Sequence, residues 1–352
     1  MPTLWLFDIE PHEQRYTSEW QVHLPMQLSQ SMANNNRRQW KLGIISGCKT
    51  SGTLSPGAFM NFAETNFYKA VQIADFAAKV QAGQVKPSDR VLFADAWHPG
   101  VIHCKYMSEL LGLGLTIDVM WHAGSYDPYD FLGRKVKDKA WSFNFERSIY
   151  EASSRNYFAT KFHRDLFIKK INPRGSKRSR IVGWPMEYLP NLLKPYSCVH
   201  KTNTIVFPHR LSKEKQPKAL QQLSKLLPGH KIVFAQSTQL SKPQYHQILG
   251  ESVAVFSANQ QETLGIGIYE GLLCGAVPIV PMRLSYEEMY SDWCYPSSWS
   301  RYPSRIGQSK SVFAAYIRAA ILARNPTNVA MLAAKVGKQF FNGSALYAQV
   351  LR

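Results

Sequence analysis

Glu262 and Glu270 stand eight residues apart, a little over two turns of helix, so the two carboxylates share a side if the stretch is helical throughout. Between them, Thr263-Leu264-Gly265-Ile266-Gly267 reads as a helix start. Free backbone N–H groups and the positive dipole end suit such a place to a phosphate or a polar sugar without a metal. Arg210 and Lys215 stand five residues apart just past an apolar run. A basic helix start is disfavoured by the dipole unless an anion sits there. Lys213 competes with Lys215 for the second cationic place.

The elements that must hold these side chains follow the same rhythm. Val253–Phe256 reads as a buried strand, Val277–Val280 as the next, with Gly275 stopping the helix between them and Pro278 at the strand entry. TNTIVF places a strand before Arg210. Nearer the N-terminus, Thr3–Ile9 is expected as the first strand and Ile44–Ile45 within the second. Phe59–Val80 is expected as an amphipathic helix, VLFADAW and TIDVMWH as strands, Trp141–Ser154 as a helix and NYFAT as a strand ending at Thr160. RIVGWPMEYLP reads as a strand running into a Pro-rich linker to about Ser197. Asp95, Trp97, His98 and His122 fall at strand C-terminal ends, where open α/β sheets bind ligands. His122 is either a ligand contact or a satisfied structural histidine. Asp127 and Asp130 also belong to a plain turn sequence.

Composition bounds the class. The 352 residues suffice for two ordinary domains, and 45% hydrophobic with 12% aromatic content fits a folded chain. No apolar run is long enough to span a bilayer. The N-terminus lacks a basic signal region, and five scattered cysteines without CxxC pairing fit reduced thiols, so a cytoplasmic setting is expected. With 42 Lys+Arg against 24 Asp+Glu, the formal charge of +18 predicts attraction to a polyanion, nucleic acid or an anionic membrane surface. Lys169, Lys170, Arg174, Lys177 and Arg178 concentrate it, with Arg134 and Lys135 as a second cluster. Tyr126, Tyr129, Phe131, Trp141 and Phe162 lie among these charges, available either to base stacking or to the core.

Strand, serine, Glu262, glycine-rich helix start, Glu270 and CGAVPIV together resemble the donor-site signature of retaining glycosyltransferases of the GT-B type called family 4. FPHRLSKEK resembles that family's GRLSxEKG element, with Pro208-His209 where a glycine is usual. The resemblance implies an α/β GT-B fold: two Rossmann-like domains facing each other across a cleft. Residues 1–185 form the acceptor side, 186–325 the nucleotide-sugar domain, and 326–352 a helix crossing back through Leu332, Val336, Phe340 and Phe341. It implies a UDP- or GDP-sugar donor and no metal. Arg210 and Lys215 would hold the diphosphate, aided by backbone N–H groups near Thr263, Leu264 and Gly265. Glu270 would bind the ribose, Glu262 the sugar hydroxyls, and His122 would orient the sugar. The glycine-rich loop that the family carries after its first strand is absent. Glu10, His12, Glu13, Arg15, Tyr16 and Trp20 stand there instead, either to position an acceptor or as a solvated helix start with Trp20 in the core.

Three readings of the whole follow. The first is an enzyme glycosylating a hydroxymethylated pyrimidine in DNA, as some bacteriophage enzymes do, with the base flipped out of the stack. The second keeps the chemistry but acts on a lipid-linked or cell-surface glycan at a membrane. The third is a GT-B scaffold kept as a nucleic-acid-binding module, against which the intact Glu262, Glu270, Arg210 and Lys215 argue.

Overall fold

The computed structural model describes residues 1–12, 15–34, 39–48, 61–237, 240–301 and 306–352. The chain divides into two compact units, Met1–Pro185 with Gly343–Arg352, and Met186–Asn342.

The first unit is built on a parallel six-stranded sheet of β1 (Thr3–Phe7), β2 (Lys41–Ile45), β3 (Arg90–Phe93), β4 (Thr116–Trp121), β5 (Arg155–Phe158) and β6 (Ser179–Ile181). Its helices are α1 (Tyr16–Ala33), α2 (Phe62–Gln81), α3 (Gly100–Leu110), α4 (Phe131–Lys135), α5 (Lys139–Ala152) and α6 (Lys161–Ile171). Strand order is β2-β1-β3-β4-β5-β6, so the winding reverses between β1 and β3, the point at which such sheets bind ligands. Phe7, Phe93, Val119, Trp121 and Phe158 are buried, as strands covered on both faces require.

The second unit repeats the plan with β7 (Thr204–Phe207), β8 (Lys231–Phe234), β9 (Ser252–Phe256), β10 (Val277–Pro281) and β11 (Cys294–Tyr295), in the order β11-β10-β9-β7-β8. Its helices are α7 (Leu189–Ser197), α8 (Pro217–Ser224), α9 (Lys242–Glu251), α10 (Ile266–Leu273), α11 (Ser285–Tyr290), α12 (Ile306–Leu322) and α13 (Pro326–Phe340). Here the winding reverses between β7 and β9. The two loops that leave these strands carry Lys215 and Glu262, which explains why residues 47 apart in sequence meet.

Several expectations are corrected. NYFAT is strand only to Phe158, because the Thr160 hydroxyl accepts from His163 N at 3.2 Å and caps α6. The strand expected over RIVGWPMEYLP is confined to Ser179–Ile181. The Pro-rich linker is the helix α7: Pro190 sits in its first turn, where no N–H is needed, and Pro195 lies further inside. The tail is two helices. Leu332, Val336, Phe340 and Phe341 stay with the second unit, where α13 packs on α10 and α11 and Phe341 stacks on Tyr269 with centroids 3.8 Å apart. A separate α14 (Ser344–Val350) belongs to the first unit. Arg90 caps its open C-terminal carbonyls, donating to Gln349 O and Val350 O at 3.0 Å and to Arg352 O at 2.7 Å. The start expected at Phe59 for α2 lies outside the described residues; α2 begins at Phe62, capped by the Asn61 side chain.

Candidate active site

In the second unit, β7 ends at Phe207 and Pro208-His209-Arg210 turns out of the sheet. The Arg210 guanidinium donates through Nε to Ser212 Oγ at 3.2 Å and to Glu214 Oε1 at 3.1 Å, and Nη2 lies 3.1 Å from the same oxygen. Lys213–Lys215 makes one turn of 3-10 helix. That turn exposes Lys213 and buries Lys215. Lys215 Nζ donates to Gln261 O at 2.6 Å, Gln261 Oε1 at 3.2 Å and Glu262 Oε2 at 3.1 Å.

Glu262 belongs to the loop after β9, not to a helix. The spacing to Glu270 is therefore a loop followed by a turn of α10, so the condition of helix throughout is not met, and the helix start expected between the two glutamates lies at Ile266. Its carboxylate also accepts from Asn259 Nδ2 at 3.0 Å and from Thr263 N at 3.1 Å. Burial pushes this carboxyl up, but the Lys215 ammonium and these hydrogen bonds outweigh it and hold it down at about 2. Leu264 is buried, and Gly265 caps α10 with a φ of +81°. That conformation favours glycine, and a Cβ there would also meet the Tyr286 ring at 2.7 Å. Glu270, in α10, is buried, and its Oε2 accepts from Tyr245 Oη at 2.9 Å. Lys242 Nζ lies 4.0 Å from Oε1. Gly267 lets the first turn of α10 lie close to Pro208 and Tyr245, where a Cβ would stand 3.0 and 3.4 Å from them.

The first unit gathers a different set at the ends of β1, β3 and β4. Asp8 accepts from Tyr68 Oη at 2.6 Å, Gln72 Nε2 at 2.9 Å and Ser46 Oγ at 2.5 Å. Glu10 accepts from Thr65 Oγ1 at 2.5 Å and lies 3.3 Å from His12 Nε2. Lys69 Nζ pairs with Asp95 at 2.8 Å. Burial raises the Asp95 carboxyl, but the Lys69 ammonium and the hydrogen bonds from Lys69 and Trp97 N outweigh it and hold it at about 2. His122 has both ring nitrogens engaged: Nε2 lies 2.6 Å from Ala94 O and Nδ1 2.9 Å from Tyr16 Oη. A carbonyl only accepts, so the proton is on Nε2 and Tyr16 donates to Nδ1. Burial lowers this imidazole's pKa, and Tyr16, Trp20 and Trp184 pack around the ring. Glu13 lies outside the described residues. Arg15 precedes α1 as its N-cap residue.

No protein-family model matches the sequence, and no curated protein matches it. Solved structures do match its backbone. Sucrose-phosphate synthase from Thermosynechococcus elongatus superposes with a TM-score of 0.58 at 10% identity, covering 100% of this chain and 99% of its own. Anabaena HepE, solved in complex with UDP and glucose, gives 0.57 at 11% identity with coverages of 100% and 98%. The lipopolysaccharide outer core galactosyltransferase WaaB gives 0.58 at 10%, with 100% and 98%. The chain has the GT-B fold. At these identities the likeness is one of fold.

Within this GT-B chain the remaining sequence-predicted residues separate. Arg134, Lys135, Lys169, Lys170, Arg174, Lys177 and Arg178 are exposed on the first unit. Asp165 pairs with Lys161 and Arg164 beside them, at 2.9 and 2.6 Å. Tyr126 is a core residue bonded to His163, the second of its two expected places; Tyr129 and Trp141 are half exposed. Asp127 and Asp130 are turn residues, accepting from Tyr129 N and Leu132 N at 2.9 Å. Among the described residues no cluster of three or more His, Cys, Asp or Glu is arranged to hold a metal ion. No described helix is long and apolar enough to cross a membrane. Sequence reasoning missed Asp8, Gln72, Glu214, Tyr245 and Asn259. Asp8 carries a signal of its own, a carboxylate immediately past the first strand; the others come from packing alone.

Proposed function

We propose that this chain is a retaining, metal-independent glycosyltransferase that takes a sugar from a UDP- or GDP-sugar. The observation that carries the reading is the Lys215–Glu262 pair, with the Arg210–Glu214 pair on the same loop, at the winding reversal of the second sheet, and Glu270 in the adjoining helix. Arg210 and Lys215 each rest on a carboxylate of the chain, Glu214 and Glu262, and a diphosphate would compete for both cations. They would take up the charge that grows on the leaving diphosphate, a role a divalent ion fills in other enzymes. Backbone N–H groups at Thr263, Leu264 and Gly265 add to it. Glu270 binds the ribose and Glu262 the sugar hydroxyls. The bond from the anomeric carbon to the phosphate oxygen breaks as the acceptor oxygen forms its own bond on the same face. The acceptor's proton passes to the departing diphosphate. The HepE structure, with UDP and glucose bound on the same fold, supports the donor class.

We assign acceptor binding to the first unit, with Glu10, Arg15 and Tyr16 as contacts and His122 holding the Tyr16 hydroxyl. The acceptor we favour is a hydroxymethylated pyrimidine in DNA, on the ground of the +18 charge and the exposed cations from Lys169 to Arg178. A lipid-linked glycan at an anionic membrane is the second reading, favoured by the likeness to the lipopolysaccharide enzyme WaaB. The test is a mass-resolved assay of pooled nucleotide-sugars against hydroxymethylated DNA, unmodified DNA and lipid acceptors. Transfer to the first alone supports DNA, and transfer to lipid alone replaces it. Release of free sugar from no nucleotide-sugar, with no transfer, sinks the donor reading.

A further inference from the structure

Trp141, near the start of α5, is 54% exposed although its indole already touches two other rings. It lies parallel to Phe145, at 3° with centroids 5.6 Å apart, and edge-on to Trp97 at 6.3 Å. Trp97 meets Phe145 edge-on at 5.1 Å, and its Nε1 donates to buried Glu146 at 2.7 Å. The Trp141 ring is thus supported by two fixed neighbours while about half of its surface faces water. Trp97 lies in the loop that leaves β3, so the three rings adjoin the end of the sheet at which ligands bind.

The surroundings are cationic. Residues 131–141 hold Arg134, Lys135, Lys137 and Lys139 against one acid, Asp138. That acid is spent on the helix start, where its side chain accepts from Trp141 N at 3.0 Å. Lys139 Nζ donates to Gly133 O and so ties α4 to the start of α5. Lys135 and Lys137 are exposed and form no ion pair among the described residues. Further along the face of α5 that carries Trp141, at i+3 and i+7, Asn144 and Ser148 are exposed. Polar groups and cations therefore border the ring. The exposed Ile102, Tyr106 and Leu110 that a lipid surface would ask for stand on α3, where Lys105 is already paired with Glu109.

A supported aromatic face beside unpaired cations suits a strand of unpaired bases: any base can stack on the ring, and the lysines take the phosphates. A base inside a duplex is covered on both faces and offers none to Trp141. We propose that Trp141, backed by Phe145 and Trp97, is a stacking platform for single-stranded DNA, with Lys135 and Lys137 as its phosphate contacts. The inference rests on the DNA reading above and deepens it by naming the surface that holds an unpaired base.

Equilibrium binding of the full chain to a single-stranded oligothymidylate and to an abasic strand of equal length tests this, beside hydroxymethylated duplex DNA and phosphatidylglycerol vesicles. Wild type should bind the oligothymidylate more tightly than the abasic strand. Trp141→Ala should weaken the oligothymidylate by roughly 5- to 150-fold and leave the abasic strand within about twofold, and Trp141→Phe should recover most of the loss. Lys135→Ala and Lys137→Ala should weaken both strands alike, each flattening the salt dependence by about 0.7 in log–log slope. Equal affinity of wild type for the two strands overturns the proposal. So does a Trp141→Ala loss shared by both strands, which marks the ring as structural, or binding of vesicles alone. Binding of the duplex but of neither strand overturns the platform and leaves the DNA acceptor standing. Binding of no DNA at all overturns both, whereas single-strand binding without sugar transfer to any DNA upholds the platform and sinks the acceptor reading.

Discussion

His122 and His209 each follow a parallel strand, and each sits among ionisable groups, yet the two regions treat them differently. His122 spends both nitrogens on protein atoms, Ala94 O and Tyr16 Oη, inside a packing of Tyr16, Trp20 and Trp184. His209 has one nitrogen facing Asn259 and the other without a hydrogen-bond partner among the described residues. The carboxylates differ in the same sense. Asp8 is held by neutral donors from Ser46, Tyr68 and Gln72, whereas Glu262 and Glu214 lie against Lys215 and Arg210. A neutral hydrogen bond fixes shape. An ion pair can be exchanged for another charge. Lys69–Asp95 is such a pair in the first unit, beside the neutral set around Asp8.

The largest expected effect attacks the Lys215–Glu262 pair. Lys215→Ala should lower kcat/KM for sugar release or transfer by roughly 100- to 1,000-fold, the usual cost of losing one charge-stabilising donor in the transition state. It should also destabilise the fold by about 3–5 kcal/mol, because Glu262 is left charged and largely buried. Lys213→Ala, on the exposed side of the same turn, should change neither. Steady-state kinetics with urea unfolding of both variants makes the check. Equal losses in the two would erase the distinction between the buried and exposed lysines.

How much of this was readable beforehand varies with the physics involved. The apolar runs at Thr204–Phe207, Ser252–Phe256 and Val277–Pro281 announced a buried parallel sheet, because strands covered on both faces must be apolar throughout. The proximity of Arg210, Lys215 and Glu262 was legible through those strands and the family resemblance. The helix start between Glu262 and Glu270 was legible in the Thr263–Gly267 run, and α10 begins there at Ile266; the left-handed Gly265 was not, since nothing local distinguishes it from a helical glycine. The Pro-rich stretch before Ser197 was misread for a related reason: prolines near a helix start cost nothing there, and the buried Leu189 and Leu193 decide the outcome. Asn259 and Glu214 act through neighbours distant in sequence, and only packing reveals them.

A smaller effect sharpens the comparison from the first unit. His122→Ala should destabilise the protein by roughly 3 kcal/mol, through the lost ring packing and two hydrogen bonds. Nucleotide affinity should stay within about twofold of wild type. His122→Asn, with an amide available to both Ala94 O and Tyr16, should recover part of the loss. Denaturant unfolding and nucleotide titration on the same samples separate the two quantities. A tenfold loss of nucleotide affinity without loss of stability would return His122 to the donor site.

The smallest effect is one of pH, and its sign follows from His209 being held neutral. Its pKa is lowered to about 3 in the folded protein, against the ordinary 6.5 that an exposed imidazole has. The unfolded chain therefore takes up a proton below pH 6.5 that the folded chain refuses. The stability this histidine contributes is complete above pH 6.5 and is lost as pH falls towards 3. At pH 5 the loss amounts to about 2 kcal/mol. Glu262 adds nothing to this window, because its carboxyl is held at about 2 against an ordinary 4.5, so its own contribution fails only below pH 4.5. Unfolding midpoints between pH 7 and 5 should fall less in His209→Gly than in wild type. Parallel curves for the two proteins would mean that His209 is protonated as easily in the fold as outside it.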